Sequence, residues 1–211
     1  MFGIPLGWLA YGLSPTYRRR LVSNAALAGL TPAQRRAAVV EAGKLVTEIP
    51  WVLLRPPGRS IAGAVQWRGE ALIERVLGSG RGLVILTPHM GCFEICAQAY
   101  AERYGARQPL TVLYRPARKA WLRRFEESAR ERPGLKTAPA ALSGVRLMLR
   151  ALKRGETVGL LPDQVPPEGL GVWAPFYGRP AYTMTLAARL VQQTGAELVL
   201  MWGERLPNGA G

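Results

Sequence analysis

From Gly82 onward the chain alternates between short, continuous apolar runs and stretches of helical periodicity. The runs are GLVILT (82–87), LTVLYR (110–115), TVGLLP (157–162) and ELVLMW (197–202). Between them lie CFEICAQAYAERYG (92–105), a helical pattern around AWLRRFEESARER (120–132), LSGVRLMLRALKRG (142–155) and TLAARLVQQTG (185–195). Strands that are apolar on both faces, each followed by a helix, predict an α/β fold with a mostly parallel sheet covered by helices on both faces. Upstream, TPAQRRAAVVEAGKLVTEIP (31–50) opens with Thr31 as N-cap, Pro32 at the first helical position and Gln34 completing a capping box. That helix is expected to stop before Pro50. A loop rich in Pro and Gly, LRPPGRSIAG (54–63), then leads to a short helical pattern, EALIERVLGSG (70–80), which its glycines end. This organisation predicts an N-terminal helical, membrane-interface portion over 1–60 and an α/β domain over 61–211.

The first thirteen residues, MFGIPLGWLAYGL, are apolar but fall short of the roughly 20 that a spanning helix needs. Positive charge follows this stretch at 18–20 instead of preceding it, which argues against a secretory signal. Two readings stay open. The segment is an interfacial anchor with Trp8, Tyr11 and Tyr17 at headgroup depth, or it packs on its own domain.

Composition narrows the partners. The 211 residues carry 28 Lys plus Arg against 14 Asp plus Glu, a formal charge of +14 that suits nucleic acid, an anionic membrane or an acidic protein. The arginines cluster at 18–20 and within 115–132, yet no nucleic-acid-binding module accompanies them. The two cysteines, Cys92 and Cys96, share one apolar segment four positions apart, as expected of reduced thiols in a cytosolic helix.

The single histidine, His89, stands just beyond the first apolar run, with Glu94 five positions later. On one continuous helix residues five apart are rotated by roughly 140° and do not face each other. The pair therefore works only across a turn, for which Gly91 supplies the permissive backbone, with Glu94 in the first turn of the next helix reaching back to the imidazole. A carboxylate on one ring nitrogen fixes the tautomer and leaves the other nitrogen as a base for a hydroxyl. The next two runs end on Tyr114 and Arg115, and on Asp163 and Gln164. In open α/β sheets that carboxyl edge is where ligands bind. One histidine cannot build a two-histidine zinc site, so no metal is expected, and no G-x-S-x-G elbow or phosphate-binding glycine loop is present. GSGRG (78–82) precedes its strand and is a turn. Cys92 as a nucleophile is disfavoured, because helical apolar cysteines are usually inert.

TPHMGCFE (87–94) is similar to the H-x4-D/E block of the glycerolipid acyltransferase superfamily. The ordered set LGWLAYGLSPTYRR, VLYRPARKAWL, GETVGLLPDQ, PFYGRPAYT and LVLMWGERLPNG resembles its lipid A biosynthesis branch, the late acyltransferases. The resemblance implies a glycerolipid-acyltransferase-like fold and an inner-membrane enzyme, active on the cytoplasmic side and peripheral or weakly anchored. It implies an acyl carrier protein thioester as donor, no other cofactor, and an anionic glycolipid, a lipid A precursor, as acceptor. Carried over, His89 is the general base and Glu94 its orienting acid, while Arg115, Asp163, Gln164 and Arg179 bind substrate. The backbone near Gly91, or Arg115, faces the oxyanion. Relatives continue beyond this C-terminus, so a further C-terminal part is expected. Two alternatives remain: acylation of another membrane lipid, such as a lysophospholipid or amino-acid lipid, by the same residues, and a non-enzymatic basic nucleic-acid-binding protein.

Overall fold

The computed structural model describes residues 3–56, 58–115, 119, 129–130 and 132–206, which form two compact units. One comprises Met1–Leu54 with Ala174–Ala181, the other Arg55–Trp173 with Tyr182–Gly211.

The first unit contains α1 (Gly3–Leu13), α2 (Pro15–Leu27) and α3 (Pro32–Leu53). The Ser14 hydroxyl accepts from the Tyr17 amide at 3.3 Å and caps α2. Thr31 and Gln34 form the expected capping box at the start of α3, with Thr31 N donating to Gln34 Oε1 at 2.9 Å. Side-chain-free positions let α1 lie directly on α3, since a β-carbon at Gly43 would collide with the backbone of Gly3 and Gly7. Contrary to the sequence expectation, α3 does not stop before Pro50 but runs through it to Leu53. Proline removes one amide donor and crowds the preceding turn. Here only one more turn follows, and it buries Val52 and Leu53, which offsets that cost. No described helix is long and apolar enough to cross a membrane. The α1 surface exposes Ile4, Leu6, Trp8, Leu9 and Leu13.

The second unit is built on five parallel strands in the order β3-β2-β4-β1-β7: β1 (Leu83–Leu86), β2 (Leu110–Tyr114), β3 (Leu135–Pro139), β4 (Thr157–Leu160) and β7 (Glu197–Leu200). The period of two along a strand divides the core. Leu83 and Ile85 face α4 (Glu70–Gly78) and α5 (Phe93–Tyr104), meeting Ile73, Val76, Tyr100 and Tyr104. Val84, Val158 and Leu160 face the opposite layer, α6 (Leu142–Lys153) and α7 (Leu186–Thr194), meeting Met148, Leu152 and Leu190. A polar tie in this core joins the Tyr100 hydroxyl to Thr157 Oγ1 at 2.7 Å, and burial pushes the phenol up to about 12.

Each apolar run read from the sequence is a parallel strand, and the helices between them form where described. The pattern at 120–132 lies mostly outside the described residues. Two features carry no apolar-run signal. β3 reads LKTAP and buries only Leu135 and Ala138, because it is the sheet edge and pairs with β2 alone. β5 (Gly171–Phe176) and β6 (Arg179–Met184) form a hairpin of largely exposed residues, turned at Tyr177 and Gly178, whose φ angles are 47° and 73°. Positive φ at both turn positions is what a tight two-residue hairpin loop demands.

Candidate active site

Adjacent strands in equal register set up the site. β1 and β4 pair so that Leu86 lies beside Leu160, and Thr87 N extends the ladder by donating to the Leu160 carbonyl at 3.1 Å. His89 and Asp163 each stand three residues past those partners, so the two loops deliver them to the same place. The His89 amide donates to Asp163 Oδ2 at 2.8 Å, and His89 Nδ1 lies 2.7 Å from Asp163 Oδ1. Burial alone raises the Asp163 carboxyl, but the two hydrogen bonds from His89 and its charge outweigh that and hold it below the usual carboxylate range. An ionised carboxylate only accepts, so Nδ1 is the ring nitrogen that donates to Asp163, and in the neutral ring Nε2 is the one left to accept a proton. The side chains of His89 and Asp163 are 34% and 40% exposed, which leaves Nε2 open to a reactant. Gln164 Nε2 stands 3.5 Å from that nitrogen, and the Phe93 ring meets the imidazole edge-on with centroids 4.9 Å apart.

The loop carrying His89 is held through its backbone. Met90 N turns back onto the Pro88 carbonyl at 2.7 Å. Gly91 has φ of 56°, and a β-carbon there would strike the carbonyl oxygen of Gly203, just past β7. Only glycine meets both conditions. The chain then enters α5 with Cys92 as its N-cap residue and Glu94 in the first turn, as the sequence implied.

Glu94 does not reach back to the imidazole in this structure. Its carboxylate takes Arg130, with Nη2 at 2.7 Å and Nε at 3.2 Å, in a pair whose side chains are only 11% and 20% exposed. A guanidinium fork binds a half-sequestered carboxylate more strongly than a neutral ring does, and Nδ1 is already occupied by Asp163. In this structure the acid on Nδ1 is Asp163, while Glu94 is taken by Arg130. The family resemblance places Asp163 on substrate, and its equal offset from its own strand end is the sequence signal for its contact with His89. Arg130 and Phe93 were not singled out from sequence. Arg130 lies in an arginine-rich stretch where nothing in the spacing separates it from its neighbours.

Arg115 is exposed just past β2, at the carboxyl edge and on the far side of β4 from β1. Arg179 opens β6, is exposed, and belongs to the first compact unit. Burial pushes the Cys96 thiol up to about 12, so it is no nucleophile at neutral pH. Among the described residues no group of three His, Cys, Asp or Glu is placed to hold a metal ion.

Against this geometry the comparison with protein families is decisive: the model for bacterial lipid A biosynthesis acyltransferases matches residues 30–210. The chain belongs to that family. It is an acyltransferase. A comparison with curated proteins returns no match for the chain.

Proposed function

We propose that this acyltransferase moves a fatty acyl chain from an acyl carrier protein thioester to a hydroxyl of a lipid A precursor, with His89 as general base. The observation that supports the mechanism is the His89–Asp163 pair, which engages Nδ1 and leaves Nε2 as the basic nitrogen of the neutral ring at the carboxyl edge. Nε2 takes the proton of the acceptor hydroxyl as its oxygen attacks the thioester carbonyl. The C–S bond then breaks, and the phosphopantetheine thiolate leaves with the proton returned by the imidazolium. Asp163 keeps the ring in the working tautomer and stabilises its charged form. Glu94 acts through Arg130, bracing the first turn of α5, whose Phe93 meets the imidazole edge-on. Arg115 and the backbone amides near Gly91 are the two donors proposed for the oxyanion. Gln164 and Arg179 are each assigned to substrate binding, and no cofactor beyond the donor thioester is invoked.

The +14 charge suits every proposed partner: an acidic carrier protein, a phosphorylated glycolipid and an anionic bilayer. We place the protein at the cytoplasmic face of the inner membrane as a peripheral or weakly anchored enzyme. Support comes from the exposed apolar side chains of α1 and the arginines at 18–20 in α2. Membranes holding the protein, given a panel of acyl carrier protein thioesters and a tetra-acylated lipid A precursor, should yield an acylated product by mass spectrometry. His89→Ala should lower its rate by ~10²–10⁴-fold with the fold intact. Near-normal turnover in that variant would remove His89 from the chemistry. Preferential acylation of a lysophospholipid or an amino-acid lipid would reassign the acceptor without touching the mechanism.

A further inference from the structure

Asp163 and Gln164 are consecutive in the chain, and they address the two nitrogens of one imidazole. Asp163 Oδ1 lies 2.7 Å from His89 Nδ1, while Gln164 Nε2 lies 3.5 Å from His89 Nε2. The second Asp163 oxygen accepts from the His89 amide at 2.8 Å, so the residue before Gln164 is fixed to the base at two points. The register of β4 on β1 that brings in Asp163 thus carries Gln164 to the reacting side of the ring.

A carboxamide has a donor end and an acceptor end, and the ring decides between them. With Nδ1 donating to Asp163, Nε2 of the neutral ring can only accept, so the NH₂ end of Gln164 is the one that suits it. At 3.5 Å the contact is long for a hydrogen bond, and an incoming hydroxyl displaces it easily. Base catalysis also fixes where the acyl carbonyl must come. The acceptor oxygen sits about 2.6–3.2 Å from Nε2, and the carbonyl carbon about 3–3.5 Å from that oxygen. A donor standing 3.5 Å from Nε2 is within reach of the oxygen on that carbon. Proton transfer then changes the partner of Gln164. Nε2 gains a hydrogen and stops accepting at the moment the carbonyl oxygen gains charge, and hydrogen bonds to ionised oxygens are the stronger kind. Arg115, by contrast, stands just past β2, two strand spacings or about 10 Å from β1, and has to reach across β4.

We propose that Gln164 is a catalytic residue whose side-chain N–H donates to the oxyanion formed on the thioester carbonyl. This rests on the acyl transfer proposed above. The acceptor oxygen bonds to the carbonyl carbon, the C=O pair moves onto its oxygen, and the hydroxyl proton passes to Nε2. Gln164 holds the oxyanion until the C–S bond breaks and the thiolate takes the proton from the imidazolium.

The test compares Gln164→Met, of similar length but without the donor, with Gln164→Glu, which only accepts. Steady-state rates are measured on the same panel of acyl donors and acceptors. Gln164 is exposed, so both variants should fold, which circular dichroism checks. Gln164→Met should lower kcat by about ten- to a hundredfold with KM little changed, less than the ~10²–10³-fold of an enclosed oxyanion hole because water reaches this site. Gln164→Glu should lose at least as much, since a carboxylate repels the oxyanion. Gln193→Met, at an exposed glutamine of α7, should change nothing. His89 is the only histidine, so nitrogen-15 labelling of histidine shows one ring. Its spectrum should keep Nδ1 protonated in the parent and in both variants, so that the lost rate reports on the oxyanion and not on a displaced base. A kcat for Gln164→Met within about threefold of the parent, or a loss confined to KM, would overturn the proposal. So would recovered rate in Gln164→Glu, which would make the residue an acceptor for the imidazolium, or a tautomer change in Gln164→Met, which would make it a positioning residue. A parent that transfers acyl groups to no member of the panel would overturn the proposed function and this inference together, whereas an active parent with an equally active Gln164→Met overturns this inference alone.

Discussion

Asp163→Asn is the sharpest probe of the site, because the two oxygens of Asp163 do different work. An asparagine has one acceptor oxygen. If that oxygen stays on the His89 amide, the NH₂ group faces Nδ1 and donates to it, which moves the imidazole proton to Nε2 and abolishes the base. If the amide turns over, its NH₂ group opposes the backbone N–H, and a donor is left without an acceptor at about 1–3 kcal/mol. The wrong tautomer is therefore the expected result. A positioned general base contributes ~10²–10⁴-fold, and the lost charge also ceases to stabilise the imidazolium. With the pair 34% and 40% exposed, water supplies part of that stabilisation, so the lower half of the range applies. The expected fall in kcat is ~10²–10³-fold, about 3–4 kcal/mol, with KM for the acceptor little changed. Steady-state rates with the preferred acyl donor, beside circular dichroism to confirm folding, measure it. Turnover of Asp163→Asn within about threefold of the parent would refute Asp163 as the group that sets the ring.

Glu94→Gln opens the partly buried pair with Arg130 and should cost about 1–3 kcal/mol of stability, less than a fully buried pair would, with a smaller loss of turnover than Asp163→Asn. Denaturant melts and rates together test this: a larger turnover loss at unchanged stability would return Glu94 to the imidazole. Gly91→Ala forces both a positive φ and a collision with the Gly203 carbonyl, so it should lower stability by about 2–4 kcal/mol or cut activity sharply, read by thermal melts and rates. Acid sensitivity follows from Asp163, Glu102 and Glu156, each held below its usual range. Their stabilisation is complete above the unfolded carboxylate values of about 4 and is lost as pH falls through the lower folded values. Urea midpoints should decline below about pH 4, and Glu102→Gln should make that decline shallower.

The parallel sheet was legible because its central strands are buried on both faces and read as unbroken apolar runs. β3 was not, since an edge strand paired on one side needs only Leu135 and Ala138 to hold it. The hairpin β5–β6 escaped for a related reason, its side chains being mostly exposed. At the site, His89, Asp163 and Gln164 were found together because strand ends converge by topology, which a run-and-helix pattern encodes. The choice between two acids for one imidazole was not encoded that way. Spacing along the chain favoured Glu94, whereas strand register, a relation between segments 74 residues apart, brings in Asp163. The same limit hid Arg130, whose partner is 36 residues away.

The loop that carries His89 is fastened largely by its own main-chain atoms: the His89 amide on the Asp163 carboxylate, the Met90 turn onto Pro88, and Gly91 against the Gly203 carbonyl. Such fastenings are blind to the identity of neighbouring side chains. Met90, Val165 and Trp202 flank these points in sequence and expose most of their surface, so they are free to vary without shifting the base. Saturation libraries at those three positions would therefore explore new acyl acceptors on an unaltered reaction, whereas a library at Gly91 should return glycine.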